Sequence, residues 1–120
     1  MKKILVVEDD VLTAELLKTY LLPKGYEVVH VSNGLKTLET AKTQRPDLIL
    51  LDVMLPGLDG HTVQMKLLEE KETSEIPIIL MTAKTQLEQV FVNAKNVVGL
   101  IAKPFNIKEL NEKIKSALSQ

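Results

Sequence analysis

The chain contains four short runs in which every residue is apolar, and each run ends at a polar or charged residue. Uniformly apolar runs of this length are typical of strands that are buried on both faces of a parallel sheet. The runs lie at residues 4–7, 48–51, 78–81 and 100–102, and residues 27–31 form a weaker strand pattern. The pattern therefore predicts five strands of one sheet that is covered by helices.

Segments with helical spacing alternate with these strands. Within each segment, apolar residues recur three or four positions apart, as expected for a helix with one buried face. Turn-forming residues, such as those at 23–25, 32–34 and 56–60, separate the helices from the strands. The five predicted apolar stripes are Leu12, Leu16, Leu17, Tyr20 and Leu21; Leu35, Leu38 and Ala41; Val63, Leu67 and Leu68; Leu87, Val90, Phe91 and Ala94; and Ile107, Leu110, Ile114, Ala117 and Leu118.

Five strand-helix units in succession predict a doubly wound α/β fold, in which right-handed crossovers place helices on both faces of a five-stranded parallel sheet. We expect the strand order 2-1-3-4-5, although periodicity does not distinguish this order from other doubly wound orders. In this order the first and third strands flank the switch point, where a ligand crevice opens. The acids that follow or end these strands, Glu8, Asp9 and Asp52, should therefore meet at the crevice.

Composition narrows the possible functions. The 120 residues are enough for one domain, 1–120, with its own core. The absence of cysteine favours a cytoplasmic location and excludes a thiolate zinc site or a thiol nucleophile. A net charge of -1 provides no overall field for nucleic acid or an anionic membrane, and no stretch approaches the roughly 20 apolar residues of a membrane span. We expect no direct nucleic-acid or membrane partner.

Three carboxylates in one crevice repel one another, so either one of them is protonated or a divalent cation lies among them. A hard cation such as Mg²⁺ fits better, because neither His30 nor His61 has a companion ligand. Both histidines are therefore interpreted as surface or packing residues. Asp9 and Asp52 are the expected direct ligands, together with a backbone carbonyl just after Asp52, and Glu8 is expected to act through water.

A carboxylate beside a metal can also be a nucleophile that forms an aspartyl phosphate. Asp52 is the expected acceptor, because it stands alone at the end of the central run. Thr82 would donate its hydroxyl to a phosphoryl oxygen, and Lys103 would pair first with Asp52 and then with the phosphate. Singly, these residues could be a turn former, a helix cap and a solvated lysine, and Asp10 is expected to be a helix N-cap. Together, four suitable residues at four strand ends favour one shared site.

The sequence resembles the receiver domain of bacterial two-component response regulators, from Lys2 to the last helix. The resemblance implies a single flavodoxin-like (βα)5 domain. It also implies a response regulator that accepts a phosphoryl group from a sensor kinase phosphohistidine onto Asp52 with Mg²⁺ and signals through its output face. The stretches that carry the resemblance are Ile4–Asp10, Asp47–Gly60, Pro77–Ala83 and Lys103–Phe105.

The resemblance also assigns roles. Glu8 and Asp9 form the acidic pair, Met54 supplies its backbone carbonyl to magnesium, and the peptide before Pro104 is cis. Thr82 and Lys103 match the switch hydroxyl and the lysine of the family. The implied partners are a sensor histidine kinase or histidine phosphotransfer protein and a downstream protein target. The domain would be no enzyme beyond catalysing its own phosphotransfer and dephosphorylation, and would be a monomer or weak dimer. With no output domain, we expect a stand-alone regulator or a phosphorelay shuttle.

One position departs from the family pattern. Receivers commonly carry Tyr or Phe three residues before the lysine, where this chain has Leu100. We expect phosphorylation to be retained. The hypothesis is that the output face recognises its partner in an altered way, with Val97, Val98 and Leu100 giving it a more apolar character.

The sequence pattern also has three alternative interpretations. A phosphatase of the haloacid dehalogenase type would need a second acid two residues after its nucleophile, where this chain has Met54. A flavin or nucleotide carrier would need a Gly-rich or hydroxyl-rich loop after the first strand, where this chain has Glu8-Asp9-Asp10. An interaction module would keep the fold without the phosphoryl chemistry.

Overall fold

A parallel β-sheet forms the centre of the fold. The computed structural model describes residues 1–55, 57–82 and 94–119. Neighbouring strands are all parallel and lie in the order β2-β1-β3-β4-β5, which confirms the predicted sheet and strand order. The strands are β1 (Lys3–Val7), β2 (Glu27–Val31), β3 (Leu48–Asp52), β4 (Ile78–Thr82) and β5 (Val97–Ala102).

The described helices coincide with four of the five predicted segments, but three residues of the predicted buried stripes, Leu12, Leu16 and Leu35, are exposed, and Leu35 precedes α2. Asp10 caps the first of them by accepting a hydrogen bond from the Thr13 N–H, as predicted, and Asp59 caps the third through the Thr62 N–H. The predicted stripe at Leu87, Val90 and Phe91 lies outside the described residues. The helices are α1 (Val11–Leu21), α2 (Thr37–Gln44), α3 (Gly60–Glu69) and α4 (Ile107–Leu118), with a short 3-10 turn at Leu22–Lys24.

The core has two layers, one on each face of the sheet. Because successive side chains of a strand point to opposite faces, each apolar run supplies both layers. Leu50 of β3, for example, packs with α1 and α4 residues, whereas its neighbour Leu51 packs with α2 and α3 residues. This explains why the runs are uniformly apolar rather than alternating. No helix in the described part of the chain is long and apolar enough to cross a membrane.

Substitution Leu50→Ala should lower the free energy of unfolding by about 2–5 kcal/mol, because it leaves a cavity at a fully buried position in the central strand. Chemical denaturation measures this change. Leu12→Ala is the matched control, because Leu12 is 79% exposed on α1, and its effect should stay within about 0.5 kcal/mol. Equal losses in the two variants would contradict the assigned core.

Strand β5 begins three residues before the predicted run at 100–102. Ile78 pairs with Val97 but Ile79 pairs with Gly99, so Val98 forms a bulge in this edge strand. Val98 is 46% exposed, whereas Val97 and Leu100 are partly buried against the α2/α3 layer. Of these three residues Val98 therefore exposes the most apolar surface, and altered recognition of a partner by the expected output face stays a hypothesis.

Candidate functional site

The predicted site residues meet at the carboxyl edge of the sheet. Glu8 follows β1, Asp52 ends β3, Thr82 ends β4 and Lys103 follows β5. The Lys103 N–H donates to the Thr82 carbonyl oxygen at 2.8 Å, which extends the ladder between β4 and β5 beyond the last strand residue. The peptide between Lys103 and Pro104 is cis, as the resemblance implied. Parallel register alone thus brings the four strand ends to one place.

Lys103 joins two carboxylates from different strands. Its Nζ donates to Glu8 Oε1 at 2.5 Å and to Asp52 Oδ2 at 3.1 Å. Glu8 is completely buried and Asp52 nearly so. The pair with Asp52 was expected from the sequence, but the closer contact with Glu8 was not.

The Asp52 carboxylate is held on both of its oxygens. Its Oδ1 accepts a hydrogen bond from the Met54 N–H at 3.1 Å, while Oδ2 faces Lys103. Thr82 is also completely buried beside this strand end. The carboxylate therefore has a fixed orientation at the edge of the sheet.

The three carboxylates of the acidic cluster outnumber the one ammonium group, that of Lys103, that pairs with them. Burial raises the pKa of Glu8 to about 7; Lys103 and the Asp10 N–H oppose this, and Asp52 adds to it. Burial alone would lower the pKa of Lys103, but Glu8 and Asp52 outweigh it, so this pKa lies above its ordinary value. A second cation at the site would favour the ionised form of Glu8.

The geometry of the carboxylates suits a hard metal ion. Ligand oxygens of Glu8, Asp9 and Asp52 all lie within 4.8 Å of one another, and Asp9 is exposed at the mouth of the cluster. The donors are all oxygens and two of the three side chains are buried, which fits Mg²⁺ with waters completing its coordination. The Met54 backbone carbonyl, the further ligand implied by the resemblance, lies in the turn that follows Asp52.

His30 was interpreted from the sequence as a surface or packing residue, yet it contacts the site. Its Nε2 lies 2.7 Å from the backbone carbonyl oxygen of Glu8, and its ring is partly buried. The available signal was the predicted pairing of the first two strands, which places the end of the second beside the acids. His61 lies in the first turn of α3.

The sequence is similar to those of known proteins. A model of the response regulator receiver domain matches residues 4–115. The alkaline phosphatase synthesis transcriptional regulatory protein PhoP of Bacillus subtilis is 40% identical over 118 residues, which cover 98% of this chain and 48% of PhoP. The chain thus spans about half the length of the curated relatives it matches.

Solved structures agree in fold. A putative response regulator from Chloroflexus aurantiacus superposes with a TM-score of 0.92 at 30% identity, over 99% of this chain and 98% of that chain. The response regulator TrrA of Thermotoga maritima, in complex with Mg²⁺-BeF, gives a TM-score of 0.87 at 35% identity, over 98% of this chain and 100% of that chain.

Proposed function

The chain belongs to the response regulator receiver domain family, and on that premise we propose that Asp52 is its phosphoacceptor. The observation that carries the proposal is Lys103, whose ammonium group bridges Asp52 and the buried Glu8. This arrangement supplies a fixed carboxylate nucleophile and a cation ready to pair with an incoming phosphoryl group. The donor is a phosphohistidine of a sensor histidine kinase or histidine phosphotransfer protein.

In the transfer, an oxygen of the Asp52 carboxylate attacks the phosphorus atom. The bond between phosphorus and the donor imidazole nitrogen breaks, and its electron pair stays on the imidazole. Lys103 keeps its place and donates to a phosphoryl oxygen, and the Thr82 hydroxyl donates to another. The protein thus contributes position and charge rather than further covalent chemistry, as is usual for phosphoryl transfer.

The residues present fit a magnesium ion. Asp9 and Asp52 would bind it directly, with the Met54 backbone carbonyl, and Glu8 would bind it through water. When bound, the cation neutralises charge on the transferring phosphoryl group. Glu8 would meanwhile keep Lys103 at the site through its short hydrogen bond.

The proposed output is a change in the surface around β5, read by a downstream protein target, with the domain acting as a monomer or weak dimer in the cytoplasm. Release of phosphate by attack of water on the Asp52 phosphoryl group would reset it. In this proposal the domain modifies only itself and has no separate substrate, nucleic acid or membrane to act on.

Acetyl phosphate with Mg²⁺ should add one phosphoryl group to the native protein, as read by intact mass, and EDTA should suppress the addition. The metal is needed because Glu8, Asp9 and Asp52 otherwise repel an anionic donor. Peptide mapping should place the added mass within Leu48–Asp52 or the turn that follows. If a folded protein gained no mass at any Mg²⁺ concentration, the interaction module would be the better description.

A further inference from the structure

The three acids of the site differ in what orients them. Glu8 is held by Lys103 and by the Asp10 N–H, which donates to Glu8 Oε2 at 3.2 Å. Asp52 is held by Lys103 and by the Met54 N–H. In residues 1–55, 57–82 and 94–119, no hydrogen bond fixes the exposed carboxylate of Asp9. The direction of the Asp9 side chain therefore depends on its backbone.

Strand β2 holds the backbone just before Asp9 at two points, the N–H and the carbonyl oxygen of Glu8. The Glu8 N–H donates to the Val31 carbonyl oxygen at 3.1 Å, which continues the parallel ladder. The Glu8 carbonyl lies one residue beyond the last pairing of β1 with β2, and there His30 Nε2 reaches it at 2.7 Å. This carbonyl belongs to the peptide that joins Glu8 to Asp9. The imidazole thus sets the plane of the peptide from which Asp9 projects.

We propose that His30 is a positioning residue for the magnesium site: by donating from Nε2 to the Glu8 carbonyl, it aims the Asp9 carboxylate at the space between Glu8 and Asp52. The inference rests on the proposed magnesium site. In this proposal His30 orients Asp9 through the main chain, whereas Lys103 and Met54 orient the other two acids through direct hydrogen bonds. A proton on Nε2 is present both in the imidazolium and in one neutral tautomer, so either form makes the bond.

Replacement of the donor tests the role. In His30→Leu the Glu8 carbonyl loses its partner, and the dissociation constant for Mg²⁺ should rise about tenfold, as for other residues that orient metal ligands from outside the coordination shell. In His30→Gln the amide nitrogen lies as many bonds from Cα as Nε2 does in histidine, so Mg²⁺ affinity should be largely restored. Isothermal titration with MgCl₂ at fixed pH measures all variants.

A second measurement needs no metal. The Glu8 carbonyl and the Asp9 N–H share one peptide group, so the ¹⁵N resonance of Asp9 should move in metal-free His30→Leu and return toward its native position in His30→Gln. His30→Val, which places a strand-forming residue between two native valines, is a second donor-free variant if His30→Leu folds poorly.

Val28→Ala is the matched control. Val28 lies on β2 two residues before His30, on the same face, and packs against the α1/α4 layer. This change should lower thermal stability without altering Mg²⁺ affinity. Native Mg²⁺ affinity in folded His30→Leu and His30→Val would overturn the role of His30 alone. Absence of Mg²⁺ binding in the native protein would overturn the proposed function and this inference with it.

Discussion

Asp52→Asn should gain no phosphoryl group from acetyl phosphate and Mg²⁺ under conditions that fully modify the native protein. The amide removes the nucleophilic carboxylate and one negative charge from the cation site. Asparagine keeps the size of the side chain and an oxygen that can accept the hydrogen bond from the Met54 N–H, so the turn after β3 should be preserved. Intact mass spectrometry measures whether the mass of a phosphoryl group has been added.

The matched control is Asp47→Asn, the same change one residue before β3 rather than at its end. The Asp47 Oδ2 accepts a hydrogen bond from the Lys3 N–H at 2.8 Å, at the edge of the sheet away from the site. This variant should be phosphorylated like the native protein. An adduct on folded Asp52→Asn at the native level would show that another side chain is the acceptor and would remove the basis of the proposed function.

The sheet could be predicted because strands that are buried on both faces are apolar at every position. Residues 48–51 and 78–81 are apolar at every position, and the structure buries all of them completely. The start of β5 does not show this uninterrupted apolar pattern. Val97 and Val98 are apolar, but Gly99 separates them from the run at 100–102, and at this bulged sheet edge Val97 is only partly buried and Val98 is exposed.

The positions of the acids, Thr82 and Lys103 followed from strand order, because the ends of parallel strands must meet at one edge. Among contacts that depend on the reach of a side chain, the pair of Lys103 with Asp52 was predicted, but two others were not. The His30 bond to the Glu8 carbonyl and the bond from Lys103 to Glu8 join residues 22 and 95 positions apart in the chain. Strand order brings such residues near one another, but only the rotamers decide which atoms touch.

Away from the site, the buried polar pair of Gln64 and Asn96 is another contact that the sequence did not predict. Gln64 Nε2 donates to Asn96 Oδ1 at 2.8 Å, and Asn96 Nδ2 donates to the Gln64 carbonyl oxygen at 3.2 Å. Both side chains are buried, and together they attach α3 to the residue before β5. In sequence each looks like an ordinary surface or loop residue, because hydrophobic periodicity carries no information about mutually satisfied polar groups.

Lys103→Met should slow phosphorylation by acetyl phosphate about 100-fold or more, the usual cost of removing one donor from a site where charge develops. Methionine preserves most of the side-chain length but has no ammonium group to pair with the phosphoryl oxygens. Lys42→Met is the matched control, because Lys42 also forms an ion pair, with Glu70, on the surface between α2 and the end of α3. Because such an exposed pair is screened by solvent, its loss should leave the phosphorylation rate unchanged.

Mg²⁺ affinity separates a role in phosphoryl transfer from a merely structural one. Lys103 occupies Glu8 Oε1 and Asp52 Oδ2 and repels a second cation, so Lys103→Met should bind Mg²⁺ at least as tightly as the native protein. Without metal, Glu8 is expected to take up a proton instead, because the Lys103 hydrogen bond is the main influence that lowers its pKa. Parallel loss of Mg²⁺ affinity and phosphorylation would instead mean that Lys103 only holds the carboxylates in place. Retained affinity with slow phosphorylation would identify the ammonium group as the part of the site that acts on the phosphoryl group itself.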